Sequence, residues 1–233
     1  QVIRMLFKCF DFVSCYPFQM LSKKYPAEKF GALGKNVSVD YILKNADDYA
    51  FMFKLIIVKP HLKDDNISMP ALQFSKCTKI INPVLDNGRV LCAEYLEIIT
   101  NEVDLGIISK QYDLTHAAVV DVEFAKKDYL PRWFTDYVYQ LYTDKCKLKH
   151  SDPVYYNLQK AKLNSLYGMC VQKYLRDTYI EDYDTGEYKL EPITDPEDAY
   201  NRHINKWTTI LPYFWGVWVT AYAFEHLFEL GKC

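Results

Sequence analysis

No Cys-x-x-Cys pair occurs anywhere in the 233 residues, and the 7 cysteines (Cys9, Cys15, Cys77, Cys92, Cys146, Cys170, Cys233) are scattered. Their odd number and irregular spacing exclude a disulfide framework and fit reduced thiols in a cytoplasmic protein. Cys146 and His150 have ligand-like spacing, but no second pair answers them, which leaves a four-ligand zinc site without half its donors. No signal peptide opens the chain, and the apolar run LPYFWGVWVTAYAF is too short to span a bilayer, so no membrane partner is expected. GALGK lacks both Walker spacing and a following Ser or Thr, which removes a phosphate-binding loop from consideration. Net charge is −2, so no global basic field attracts nucleic acid. That work would fall to local clusters: Lys145, Lys147, Lys149 and His150, then Lys160 and Lys162.

What is present is apolar and aromatic material. The chain is 50% hydrophobic and 16% aromatic, enough for one or two cores. Its 20 tyrosines suit surfaces that meet sugars, bases or protein. Residues 1–10 predict a strand leading to Asp11, followed by a helix-like segment to Lys24. YAFMFKLIIV predicts a strongly apolar strand, and KIINPVL and VLCAEYLEI predict a hairpin with Asn87-Gly88 suited to a type I′ turn. Thr100 is expected to cap the helix TNEVDLGIISKQY, with acids from Glu97 to Asp104 at its start. AAVVDVEFA predicts a further strand. RWFTDYVYQLYTDKCKL and VYYNLQKAKLNSLYG predict two antiparallel helices around HSDP, and VTAYAFEHLFEL a closing helix. The class is α+β.

The segment KAKLNSLYG sets Lys160, Asn164 and Tyr167 on one helical stripe and is expected to end its helix at Gly168. A lysine, an amide and a phenol in that order can meet a phosphate chain, a sugar and a flat base. The same residues also read as an amphipathic helix packing Leu158, Leu163 and Leu166, with Tyr167 at the core edge. Near the start, DFVSCYPFQM puts Asp11 where a strand ends, the usual place for a metal-binding carboxylate at a sheet rim.

These segments resemble motifs B and A of family B DNA polymerases. Motif A is usually written D-x-x-S-L-Y-P, and Cys15 stands here in place of the leucine. The resemblance implies a catalytic and metal-binding role for Asp11 and a backbone carbonyl ligand from Phe12. It implies that Ser14 faces the nucleotide triphosphate and that Tyr16 lies beneath the sugar. Lys149 and Lys160 would contact the triphosphate, Asn164 the sugar and base, and Tyr167 the nascent pair, with Gly168 near DNA. A weaker match, YFWGVWVTAYAF, is similar to the palm helix of the protein-primed branch, written T-x-x-G/A-R. Thr220 and Ala223 fit it and would place Thr220 against DNA, but Phe224 stands where the branch has arginine.

Well over a hundred residues separate motif A from motif B, a spacing similar to that of the protein-primed enzymes of phages and linear plasmids. The resemblance implies palm at residues 1–23, a terminal-protein insertion at 24–125, fingers at 126–169, a second insertion at 170–210 and a palm helix at 211–233. Those parts make a family B palm with a helical fingers hairpin and two α+β insertions. Such polymerases use two Mg²⁺ ions, primer-template DNA, a deoxynucleoside triphosphate (dNTP) and a terminal protein. Tyr-x-Asp-Thr-Asp, the motif C that supplies the second carboxylate, does not occur in the chain. The expectation is therefore an excised segment or one piece of a split polymerase, inactive alone, with motif C on a second chain or segment. The rival is a non-catalytic module that keeps the DNA or terminal-protein contact.

Overall fold

A computed structural model describes residues 12–34, 36–64, 67, 69–172, 178–206 and 211–231. In chain order the elements are α1 (Cys15–Ser22), β1 (Lys24–Pro26), β2 (Gly31–Ala32), α2 (Val39–Lys44), β3 (Tyr49–Val58), β4 (Cys77–Ile81), β5 (Val84–Asp86), β6 (Arg89–Cys92) and β7 (Tyr95–Asn101). There follow α3 (Glu102–Gln111), β8 (Ala117–Tyr129), α4 (Arg132–Leu148), α5 (Pro153–Cys170), β9 (Thr178–Glu181), β10 (Tyr188–Glu191), α6 (Pro196–Ile204) and α7 (Tyr213–Leu230). The mixed helix and sheet class is the expected α+β.

A six-stranded antiparallel sheet in the order β1-β8-β3-β7-β4, with β2 also on β8, forms one half of the molecule. From Phe51 onward β3 buries alternate residues, Phe51, Phe53, Leu55 and Ile57, against Leu105, Ile108 and Tyr112. That alternation is the period of two that a one-sided sheet requires. Between Met52 and Lys54 the register with β8 shifts, and Asp121 opposite takes a left-handed φ of 54°. The shift is a bulge that twists the strand and brings Lys54 and Asp121 to 3.2 Å. Asn87 and Gly88 both have positive φ (50° and 76°), the type I′ geometry expected, and close the hairpin β5–β6.

A second core gathers the helices: Met20 of α1, Phe134, Val138 and Leu141 of α4, Leu163, Leu166 and Cys170 of α5, and Trp215 and Trp218 of α7. A buried carboxylate is one of the links between the two halves. Glu102 at the start of α3 accepts from Phe51 N (2.8 Å), Trp218 Nε1 (2.7 Å) and Lys127 Nζ (2.6 Å). Lys127 Nζ also donates to the Ala46 carbonyl at 2.7 Å. Burial pushes the Glu102 carboxyl upward, against the pull of Lys127 and its other donors.

Several expected boundaries move. The cap of α3 is Asn101, whose side chain accepts from Val103 N and Asp104 N, while Thr100 and Glu97 belong to β7. Thr100 and Asn101 both pair with β3, opposite Phe53 and Met52, so the helix starts only at Glu102 and the last strand residue caps it. The first helix stops at Ser22 because Lys24 pairs with Tyr129 in the sheet. Strand β8 runs on to Tyr129, across the expected boundary between residues 125 and 126. The strand expected at residues 1–10, and Asp11 itself, lie outside the described residues. No described helix is long and apolar enough to cross a membrane.

Candidate functional site

The end of motif A turns sharply. Ser14 is held at φ 56° and ψ 49°, a left-handed conformation unusual for a residue with a side chain, and α1 starts at the next residue. Its hydroxyl accepts a 2.6 Å hydrogen bond from Lys145 Nζ of α4. Lys145 is buried, with its ammonium 4.9 Å from the Tyr142 ring centroid. Sequence reasoning placed Lys145 only within a basic cluster. The signal that would have singled it out is its stripe: Phe134, Val138, Leu141 and Lys145 share the buried face of α4. A lysine on such a face costs free energy unless it is partnered.

Helix α5 begins with Asp152, whose carboxylate accepts from Val154 N and Tyr155 N at 3.1 Å, and with Pro153 in the first turn. Its stripe of Lys160, Asn164, Tyr167 and Gly168 is exposed except for Tyr167. Tyr167 is half-buried, and its ring centroid lies 4.6 Å from that of Tyr16. Burial raises the Tyr167 phenol, and the nearby Tyr16 and Tyr213 raise it further. Motifs A and B thus meet ring to ring, although well over a hundred residues part them. Leu163 and Leu166 pack as expected, but Leu158 is 47% exposed. The helix also passes Gly168 and ends at Cys170, which is buried against α7. There Gly216 of α7 lies so close that a Cβ would collide with Val171 Cγ1, so tertiary contact, not the glycine, sets the end. Lys149 is the exposed cap residue of α4.

Phe12 is anchored from the other side. Its ring stacks on His226 of α7 (centroids 4.1 Å, interplanar angle 27°), and Gln19 Nε2 lies 3.1 Å from His226 Nδ1. Neither Gln19 nor His226 carried a signal in the motif patterns. Thr220 sits in mid-α7 with its hydroxyl donating to the Val217 carbonyl at 2.8 Å. Among the described residues no three His, Cys, Asp or Glu side chains converge on a possible cation. The described cysteines Cys15, Cys77, Cys92, Cys146 and Cys170 are free thiols, and burial pushes Cys170 up to about 11.

Comparison with solved structures finds the same fold in phi29 DNA polymerase. Its complex with primer-template DNA and incoming nucleotide substrates is 20% identical, with TM-score 0.63 over 95% of this chain and 34% of that one. Its complex with primer-template DNA alone gives 20% and 0.60, over 93% and 34%. Its complex with single-stranded DNA gives 20% and 0.57, over 94% and 33%. The chain spans about a third of the length of these polymerases. Among curated proteins none matches at a significant level. Residues 2–210 match the family described as DNA polymerase type B, organellar and viral, and the chain belongs to that family.

Proposed function

We propose that this chain is the palm-and-fingers segment of a protein-primed type B DNA polymerase. The parent reaction joins a deoxynucleotide to a primer hydroxyl, first of a terminal protein and then of DNA, and releases pyrophosphate. The observation that carries the reading is the meeting of Tyr16 with Tyr167 beside the Lys145–Ser14 contact. Two helices of the fingers and the turn of motif A bound one place, and α5 brings the exposed Lys160 and Asn164 to its stripe. There Lys160, helped by Lys149, binds the triphosphate, Asn164 the sugar and base, and Tyr16 the sugar, with Gly168 and Thr220 toward DNA. Residues 24–125 and 170–210 are the two insertions, the first meeting the terminal protein.

Asp11 and the Phe12 carbonyl are oxygen donors of the hard kind that Mg²⁺ takes. Stacking of the Phe12 ring on His226 fixes the residue whose carbonyl would serve. Two Mg²⁺ ions, when bound, stabilise the attacking and leaving oxygens of the displacement. The remaining donors, a second carboxylate among them, must come from another segment, so the chain alone should show no primer extension.

The test uses a polypeptide that continues this chain through a Tyr-x-Asp-Thr-Asp hairpin. Lys160→Ala should lower nucleotide use about 10- to 150-fold, the loss of one hydrogen bond to a charged group. The change should appear mostly in KM, with primer-template affinity unchanged. Tyr16→Val should raise ribonucleotide use and spare deoxynucleotide use. Unchanged KM and kcat in Lys160→Ala would end the nucleotide-site reading.

A further inference from the structure

The chain turns at Ser14, and one side chain of α7 grips it on both sides of that turn. Before the turn, the Phe12 ring stacks on His226 with centroids 4.1 Å apart. After it, the Phe18 ring lies 5.6 Å from the same imidazole, tilted by 33°. Gln19 Nε2 lies 3.1 Å from His226 Nδ1 and so fixes how the imidazole is rotated between the two rings. The neighbouring Glu225 pairs at 3.0 Å with Lys23, just past the end of α1. A residue with a side chain keeps a left-handed φ, 56° at Ser14, only where its surroundings over-determine it. Lys145 holds the Ser14 hydroxyl from α4, and His226 holds the flanking residues from α7.

Gln19 shows that this grip is more than packing. The residue is fully buried, and its Oε1 has no hydrogen-bond partner among the described residues. An apolar side chain of similar size would fill the same space without the desolvation cost of that oxygen. The bond from its amide nitrogen to His226 is what a leucine there could not make. The roles divide accordingly: the rings set where Phe12 lies, and the amide sets how the imidazole meets it.

We propose that His226 is the positioning residue of motif A, oriented by Gln19, and that the two staple Phe12 to α1 across the Ser14 turn. The staple fixes the backbone at Phe12, whose carbonyl and whose chain neighbour Asp11 are the oxygen donors toward the metal. The inference rests on the polymerase reading above. His226 acts through Phe12, without contact to nucleotide or ion. Supports of this kind behind metal-binding groups change metal affinity by about 10- to 100-fold when removed.

The test uses the polypeptide that continues this chain through a Tyr-x-Asp-Thr-Asp hairpin. Electron paramagnetic resonance reads Mn²⁺ binding on primer-template with an α,β-imido dNTP, so that nothing turns over. His226→Ala should weaken Mn²⁺ binding about 10- to 100-fold. In steady-state assays kcat should fall with it, while primer-template affinity keeps its wild-type value. His226→Phe retains a stacked ring and should recover part of the Mn²⁺ affinity. Gln19→Leu deletes the unpartnered oxygen, so its melting temperature should hold or rise. Its Mn²⁺ affinity should nonetheless fall about 10-fold, the lower end of that range. Wild-type Mn²⁺ affinity in folded His226→Ala, or losses that merely follow melting temperature across the three variants, overturns the assignment and leaves the polymerase reading intact. Should circular dichroism show His226→Ala unfolded, Gln19→Leu decides, and wild-type Mn²⁺ affinity there is equally fatal. A wild-type polypeptide with neither Mn²⁺ binding nor primer extension overturns the polymerase reading and this one with it.

Discussion

The sheet half and the helical half bury apolar residues to the same depth but treat their polar groups differently. In the sheet half, Gln111 donates to the Met69 carbonyl and accepts from Ala71 N, and the Tyr112 hydroxyl donates to the Val90 carbonyl. Those buried polar side chains are tied to backbone, which rigidifies the sheet. The helical half is different. On the helical side the buried side-chain oxygens without a hydrogen-bond partner among the described residues are Gln19 Oε1 of α1, Gln159 Oε1 of α5 and Tyr25 OH, which β1 contributes to the helical core from the edge of the sheet. Those three lie on the elements that carry or flank motifs A and B. On the proposed reading, the half that would admit a nucleotide is the one that leaves buried oxygens uncommitted.

Glu102 and Lys127 join the halves, and breaking that pair is the harshest way to test the contrast. Glu102→Ala leaves Lys127 buried without its counter-charge and should cost about 3–5 kcal/mol in urea denaturation. The double variant Glu102→Leu/Lys127→Met removes both charges but strands the Phe51 N and Trp218 Nε1 donors, so it should recover only part of that loss. A cost below about 1 kcal/mol for Glu102→Ala would mean that apolar packing and the α7 bonds to Lys24 and Pro26 hold the halves together without this pair.

A milder change acts inside the helical half. Gly216→Val drives a branched side chain into Val171 and should cost about 1–3 kcal/mol by overpacking. Because α5 carries the proposed nucleotide stripe, nucleotide affinity should fall along with stability. Val171→Ala in the same chain should recover part of both, a non-additivity expected only of residues in contact. Strict additivity would separate α5 from α7 energetically.

Much of this was legible before any coordinates. The apolar strand Tyr49–Val58, the Asn87-Gly88 turn and the helices Arg132–Leu148 and Pro153–Cys170 all carry local signals: alternation, turn chemistry and an Asp-Pro start. The misses were tertiary. Ladder pairing moved the cap from Thr100 to Asn101, and close packing at Gly216 carried α5 past Gly168. No local pattern could show that Lys145 meets Ser14, or that Gln19 meets His226, since sequence separations of 131 and 207 residues are closed only by the fold. Motif resemblance supplied the roles; the fold supplied the neighbours.

The smallest effect belongs to the hairpin β9–β10, far from either core in its chemistry. Asp182 Oδ2 accepts from Lys189 Nζ at 2.6 Å, and Oδ1 accepts from Asp184 N and Thr185 N at 3.1 and 3.3 Å. Lys189, then the two amides, hold its carboxyl below the usual aspartate range. A carboxyl whose folded pKa is depressed stabilises the fold above its unfolded pKa, and that contribution is lost as pH falls through the folded value. The hairpin should therefore loosen on acidification from about pH 4 downward, where an ordinary aspartate begins to protonate. Amide chemical shifts of Asp184, Thr185 and Gly186 report it directly. In the wild-type chain they should move with a midpoint below the ordinary aspartate value, while amides of Leu55 and Ile57 in β3 stay fixed. Asp182→Asn should flatten the turn's titration and leave its neutral-pH shifts near those of the acid form. A wild-type turn that titrates together with the sheet would mean the hairpin is coupled to the core. The contrast drawn between self-contained and open halves would then have to include it.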